Sequence, residues 1–385
     1  MNRLLTGSAS QNGEMRVDIE PKKRAKYVQI VEGLRSDIAS GRFQPGARLP
    51  TEAELVSRFA ASKMTVVKAV QLLQQEGLLI RRRGSGTYVP DKPGKKGMVF
   101  GLLIPGLGKS EIFELICRGI AKSPAAATHS LSWGHTPSAS MNQGEVAEQL
   151  SRHFIEQRVS GVFFTPGYEI SSREANTRVL RAFDAANIPV VLMDGYCIKY
   201  PEHREYDLVG LDNRRAGYIV TDHLIRQGGA RIAFFSAGTA AETVEDRISG
   251  YLAAQFAHGL SISKDRIIRG DPEDKSFVEK TLCIQKIDSI VCSNDYFAAT
   301  LMHTLIGIGV RVPKDIRLAG VDDIKYAKLL PVPLTTFRQP CDEIGAVCMA
   351  TMLERIRNRS LPARSIQLHG RLVVRQSCGS ISESK

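Results

Sequence analysis

Nowhere in the 385 residues does an apolar run approach the roughly 18 residues that a membrane-crossing helix needs. No hydrophobic stretch follows Arg3 in the way the core of a secretory signal would. The cysteines (Cys117, Cys197, Cys283, Cys292, Cys341, Cys348 and Cys378) are odd in number, scattered and never spaced C-x-x-C. That pattern argues against a disulfide framework or zinc site and for reduced thiols in a cytoplasm. Catalytic signatures are missing as well: there is no G-x-S-x-G elbow and no H-E-x-x-H. Gly108-Lys109-Ser110 imitates the end of a phosphate-binding loop, but its opening glycine would fall on Leu103. His129 and His135, near the single tryptophan Trp133, read as surface or pocket lining rather than metal ligands. These absences predict a cytoplasmic chain without membrane span, metal, cofactor or catalytic centre.

What the sequence does contain is unevenly distributed charge. The net charge is +12. From Lys22 to Pro90, thirteen Lys and Arg stand against five acids, a local excess of +8, leaving only +4 for all the rest. Positive charge is concentrated where a phosphate backbone would be met. Lys22-Lys23-Arg24 with Lys26 fits either a basic arm for DNA or a solubilising flank of the first helix.

Within that cationic stretch, Tyr27, Ile30, Val31, Leu34 and Ile38 mark an amphipathic helix that Gly41 stops. Pro50 and Thr51 open a second, with Thr51 as N-cap and Glu54 at capping-box spacing. Ala60-Ala61 makes a tight turn, and Ser62 caps a third helix that buries Val66, Ala69, Val70 and Leu73 and ends at Gly77. Its first turn leaves Ser62, Lys63 and Thr65, with Lys68 beyond, for base edges and phosphates. Two short strands, Leu78 to Arg82 and Thr87 to Val89, should flank a Gly84-Ser85-Gly86 tip led by Arg81-Arg82-Arg83. A solvated charge run is the duller account of three arginines. Beside a helix-turn-helix and a glycine-tipped hairpin, DNA contact is the better one. The predicted contacts are Arg48, Thr51, Ser62, Lys63, Thr65, Lys68, Arg81, Arg82, Arg83, Gly84 and Gly86.

Tyr27 to Val89 resembles the DNA-binding domain of the GntR family of bacterial transcription regulators. The matching blocks are Pro45-Gly46-x-Arg48-Leu49-Pro50-Thr51-Glu52-x-Glu54-Leu55, Ser62-x-x-Thr65, Glu76-Gly77-Leu78 and Gly84-x-Gly86-Thr87-x-Val89. Ala53 and Val67 replace basic side chains usual in the family, so an operator cannot be copied from relatives.

The expected organisation is a tail over 1–21, a winged domain over 22–90, a linker over 91–97, an effector domain of two lobes over 98–378 and a tail over 379–385. Past the linker, short apolar runs (98–104, 161–164, 188–193, 208–211, 231–235, 289–292 and 316–321) alternate with helix-length segments such as 213–227 and 246–258. That rhythm predicts a multidomain α/β chain with parallel sheets covered on both faces. Ligands in such folds sit at the carboxyl ends of strands or between lobes. There stand Asp194, Asn294 and Asp322, with Arg247 opening a helix, a set suited to the vicinal hydroxyls of a sugar. Phe113 or Trp133 would offer an apolar ring face. Helix capping and turn chemistry are the alternative for each alone.

Residues 98–378 resemble the effector domain shared by LacI-type repressors and periplasmic sugar-binding proteins. The carriers are Asp212-Asn213-x-x-Ala216-Gly217, Arg247-x-x-Gly250-Tyr251, Ser293-Asn294-Asp295, Gly320-x-Asp322-Asp323 and Pro333-Leu334-Thr335-Thr336. The match is good from about residue 188 and poor over 105–140, a region that would line part of the pocket. The resemblance implies that Arg247, Asn294, Asp322 and Asp194 hydrogen-bond the effector. A GntR-type reader joined to such a sensor is similar to the arabinose-repressor type. It implies a homodimeric repressor on double-stranded operator DNA, released by a small carbohydrate-like ligand. Activation, a transport receptor and a sugar-metabolising enzyme with a DNA-binding regulatory domain are the other readings. The transport receptor would need a signal peptide and no DNA reader.

Overall fold

A computed structural model describes residues 26–75, 78–82, 85–90, 97–108, 111–134, 141–168, 172–196, 205–238 and 241–380. The tail expected over 1–21 and most of the 91–97 linker lie outside those residues. The chain forms two compact units, Met1–Lys96 and Gly97–Lys385.

The first unit is three helices and a two-stranded wing: α1 (Lys26–Ala39), α2 (Glu52–Phe59), α3 (Lys63–Gln75), β1 (Ile80–Arg82) and β2 (Gly86–Tyr88). At 8 residues α2 is too short to persist by itself in water. Its ends and its one buried face hold it. The Thr51 hydroxyl accepts the Glu54 N–H, the Glu54 carboxylate accepts the Thr51 N–H, and Ala60 closes the helix in the left-handed region. Leu55 is buried against Ile30, Leu34, Val66, Ala69, Val70 and Leu73, so the i, i+3, i+4, i+7 stripe of α3 faces inward as expected. Each buried Leu or Ile in that core contributes about 1.5–3 kcal/mol. The wing strands pair antiparallel, Ile80 with Tyr88 and Arg82 with Gly86, and Arg48 bridges to Tyr88 from outside.

The second unit is two α/β lobes. The first lobe begins with β3 (Val99–Leu103), α4 (Glu111–Lys122), β4 (Ser130–Trp133), α5 (Gln143–Glu156), β5 (Gly161–Phe164), α6 (Ser172–Ala185), β6 (Val190–Met193) and β7 (Asp207–Leu211). The second holds α7 (Asn213–Arg226), β8 (Ile232–Ser236), α8 (Glu242–Ala257), β9 (Ile267–Arg269), α9 (Lys275–Gln285), β10 (Ser289–Cys292), α10 (Asp295–Gly307), β11 (Arg317–Asp322) and β12 (Thr335–Arg338). The chain then returns to the first lobe for α11 (Cys341–Arg357) and β13 (Ser365–Leu368), and ends in the second with β14 (Arg371–Val373).

Each lobe is a six-stranded sheet, ordered β13-β7-β6-β5-β3-β4 and β14-β12-β11-β10-β8-β9, parallel except for β14. Central strands such as β5, β6 and β8 are buried along their whole length, which is why they read as unbroken apolar runs. The strands that the sequence hid are peripheral or polar: β4, β9, β13 and β14 are edge or end strands, and β12 reads Thr-Thr-Phe-Arg. Of the tail expected over 379–385, residues 381–385 lie outside the described residues, and the Ser380 hydroxyl meets the Cys378 thiol at 3.2 Å.

Candidate nucleic-acid interface and ligand cleft

Three cationic side chains of the winged unit, Arg48, Lys63 and Arg81, line one groove. A cavity of about 580 Å³ between α2, α3 and the wing is lined by Arg48, Thr51, Ala53, Lys63, Arg81 and Gly86, among others. Arg48 crosses the wing because Gly86 has no side chain: a Cβ there would stand 2.9 Å from the Arg48 Nε, and its φ of +125° suits glycine. Arg81 faces Glu52 at 3.8 Å, with both side chains exposed. A pair of that kind is worth little in water, so the guanidinium can exchange carboxylate for phosphate. The Arg82 guanidinium lies 4.7 Å over the Tyr88 ring, which splays it along the wing.

Four of the expected contacts have local employment. The Thr51 hydroxyl is held by the Glu54 carboxylate at 2.9 Å and serves as a cap. Ser62 and Thr65 share a hydrogen bond of 2.8 Å, and the Ser62 oxygen accepts the Thr65 N–H. The Lys68 ammonium lies 4.7 Å over the Tyr27 ring, turned toward α1. Arg83 and Gly84, like Gly77, lie outside the described residues.

In the second unit, buried charge gathers at the carboxyl edge of the sheets. Arg247, in α8, is 4% exposed. Its Nε donates to the Asn213 Oδ1 at 2.8 Å, its Nη1 donates to the Ser293 carbonyl, and its Nη2 stands 4.0 Å from the Asp322 Oδ1. Asp322 ends β11 at φ +125° and accepts from the Gln339 Nε2 at 2.7 Å. Asp194 follows β6 at φ +67°, and its Oδ1 is buried with no hydrogen-bond partner. Both aspartates hold positive-φ conformations that side-chain-bearing residues rarely adopt.

Burial pushes the Asp322 carboxyl up to about 6, resisted by Arg247 and Gln339 and reinforced by the nearby Asp194. Burial also raises Asp194, and Arg247 again opposes the rise. One guanidinium thus serves two carboxyls that it cannot fully satisfy. Asp322 has the Gln339 amide as a donor, whereas the Asp194 Oδ1 has none among the described residues.

Further orphaned acceptors lie at the same carboxyl edges. Gln143 Oε1 at the start of α5, Thr165 Oγ1 just past β5, Ser172 Oγ at the start of α6 and Gln339 Oε1 are all buried without partners among the described residues. None of these was anticipated. Thr165 follows its strand as Asp194 follows β6, so the same strand-end rule would have found it.

The other expected ligand residues make contacts of their own. Asn294 adjoins Ser293, but its Oδ1 accepts the Phe297 N–H at 2.8 Å and caps α10. Phe113, in the first turn of α4, packs on the cluster that contains Ile112, Ile324 and Tyr326. Trp133 ends the edge strand β4 and is 51% exposed. His129 accepts the Met98 N–H at 3.1 Å and meets Phe100 edge-on, a role in the sheet rather than in a pocket. Asp295, next to Asn294, is also structural: its carboxylate accepts from the Thr336 hydroxyl and the Ile324 N–H.

Comparison with known proteins follows the same division. Residues 26–89 match the family described as bacterial regulatory proteins, gntR family, and residues 221–378 match the periplasmic binding protein-like domain. An arabinose metabolism transcriptional repressor of Geobacillus stearothermophilus is 27% identical over 377 residues, 94% of this chain and all of the relative. The transcriptional repressor PurR of Vibrio atlanticus is 30% identical over 236 residues, 60% of this chain and 68% of the relative. Among solved structures, a CelR–cellobiose complex superposes with a TM-score of 0.63 at 20% identity, over 82% of this chain and 91% of that one. With a GntR-type reader followed by a strained, charged cleft in a LacI-like sensor, the chain belongs to the GntR-family transcription regulators that carry a periplasmic-binding-protein-like ligand-binding domain.

Proposed function

We propose that this regulator is a cytoplasmic homodimeric repressor that binds a palindromic operator and releases it when a pentose, with arabinose as the first candidate, fills the cleft. The observation that carries this reading is the Arg247–Asp322–Asp194 cluster with its unpartnered Asp194 oxygen. A sugar ring offers hydroxyl donors to the carboxylates and to the orphaned oxygens of Gln143, Thr165, Ser172 and Gln339, while the Arg247 guanidinium accepts no bond and can only give. Asn294 would contribute its amide, and Phe113 or Trp133 an apolar face. A relative matched over 94% of the chain is a repressor of arabinose metabolism, which favours that sugar.

On the DNA side, α3 enters the major groove and the wing approaches the adjacent minor groove. Lys63, Ser62 and Thr65 meet bases or phosphates; Arg48, Arg81, Arg82 and Arg83 hold phosphate, with Gly84 and Gly86 admitting the backbone close to the groove. A ligand shifts this equilibrium only by binding one arrangement better than the other, with typical coupling of about 1–3 kcal/mol. The test is a thermal-shift screen of pentoses, hexoses, deoxysugars and sugar phosphates, followed by titration of the active sugar against a complex with the gene's own upstream duplex. Stabilisation by a pentose together with loss of the complex is the expected result. Silence across all sugars removes the sensor reading, and tighter DNA binding with sugar removes the repressor reading.

A further inference from the structure

Met64 is the most exposed large apolar side chain among the described residues, at 79%. It projects from the first turn of α3, between Lys63 and Thr65, on a surface otherwise dominated by cations. Packing within the unit does not account for it, since the core of that unit is made by Val66, Ala69, Val70 and Leu73 on the opposite stripe. Its polar neighbours along the helix are engaged: Ser62 with Thr65 and Lys68 with the Tyr27 ring. Ala53, which lines the groove, and Val67, three residues past Met64, bring no hydrogen-bonding side chain. The first turn of α3, Lys63 to Val66, therefore carries no forked donor for guanine and offers an apolar tip instead. The major groove displays one apolar feature, the C5-methyl group of thymine.

We propose that Met64 reads a thymine methyl by apolar contact, so that the operator carries an A·T pair where the first turn of α3 enters the groove. Methionine suits the task, because its unbranched, polarizable side chain adapts to a methyl without demanding one geometry. The inference rests on the DNA-reading role proposed above for α3.

The experiment uses duplexes selected from a random pool by the full-length wild-type protein. Each thymine is then replaced singly by deoxyuridine, which keeps its pairing and loses only the methyl. Wild type should bind about 4-fold more weakly at one or two positions per half-site, the effect of exposing one methyl. Met64→Ala should bind the thymine duplex more weakly by a similar or larger factor and treat thymine and uracil alike at those positions. Met64→Leu should keep the preference, which separates loss of apolar contact from loss of fold. Uniform tolerance of uracil by wild type, or an undiminished thymine preference in Met64→Ala, overturns the assignment while leaving α3 as a DNA reader. Failure to select any duplex with salt-sensitive binding overturns both.

Discussion

Arg247 and Asp322 face each other across 4.0 Å with only 5% and 6% of their side chains exposed. A buried pair of this kind adds little net stability, but removing one partner strands the other. Arg247→Ala leaves Asp322 and Asp194 without a counter-charge and frees the Asn213 and Ser293 oxygens. We expect a loss of about 3–5 kcal/mol in urea unfolding of the sensor transition, together with loss of any sugar-induced thermal shift. A variant with wild-type unfolding and a wild-type sugar response would show that the pair has no such role.

The same site should respond to pH. Asp322 rises to about 6 in the folded protein, against an ordinary value near 3.8. The folded state then holds that proton more tightly than the unfolded chain does. Its contribution favours folding at low pH and is lost as pH rises from about 4 through 6, by no more than about 3 kcal/mol. Asp322→Asn removes this dependence, so the variant should gain on wild type between pH 5 and pH 8. Sugar hydroxyls donate best to the ionised carboxylate, so wild-type affinity should weaken below pH 6, and the affinity of the variant should lose the part of that dependence owed to Asp322. A stability difference that stays flat across this range refutes the assignment.

Helices α7 and α8 cross at glycines that set the height of Arg247. A Cβ on Gly217 would lie 2.0 Å from the Arg247 carbonyl oxygen, and one on Gly250 would lie 1.9 Å from that of Arg214. Backbone cannot yield as a side-chain tip can. Gly217→Ala should therefore cost at least about 1–3 kcal/mol, as overpacking does, and weaken sugar binding by displacing Arg247. Differential scanning calorimetry and titration on one preparation check both parts; unchanged affinity in a destabilised variant would separate the crossing from the site.

Arg82, stacked on Tyr88, is expected to serve phosphate rather than base. Arg82→Ala should weaken binding to all duplexes alike and reduce the slope of log K against log salt by about 1, whereas Lys63→Ala should also blur sequence preference. An unchanged salt slope for Arg82→Ala would remove the wing from the interface.

Much of the fold was legible because it is written locally. The stripe of Val66, Ala69, Val70 and Leu73 needs only helical period, and Gly161–Phe164 and Ser289–Cys292 need only a buried parallel strand. The strand-end rule brought Asp194 and Asp322 into one cluster with Arg247. It failed to separate Asn294 from a helix cap, because the competing Phe297 N–H lies three residues away and is always within reach. Gln339 was invisible for the opposite reason. Its partner Asp322 is 17 residues distant, brought near by the parallel register of β11 and β12, and β12 is too polar to announce itself. The region over 105–140 resisted reading because its one strand among the described residues, β4, lies at the edge of its sheet and is half solvated.

The path of the chain between the lobes sets where the molecule can be cut. It passes from one lobe to the other after β7, after β12 and after β13, so each lobe is assembled from segments far apart in sequence. Truncation anywhere inside 98–378 deprives one sheet of a strand or a covering helix, and no fragment from this span should survive as a half-receptor. The reader, by contrast, is a single uninterrupted length ending before residue 97. Recombination could thus graft a different reader onto this receptor in one stroke, whereas a new receptor half would require three simultaneous joints.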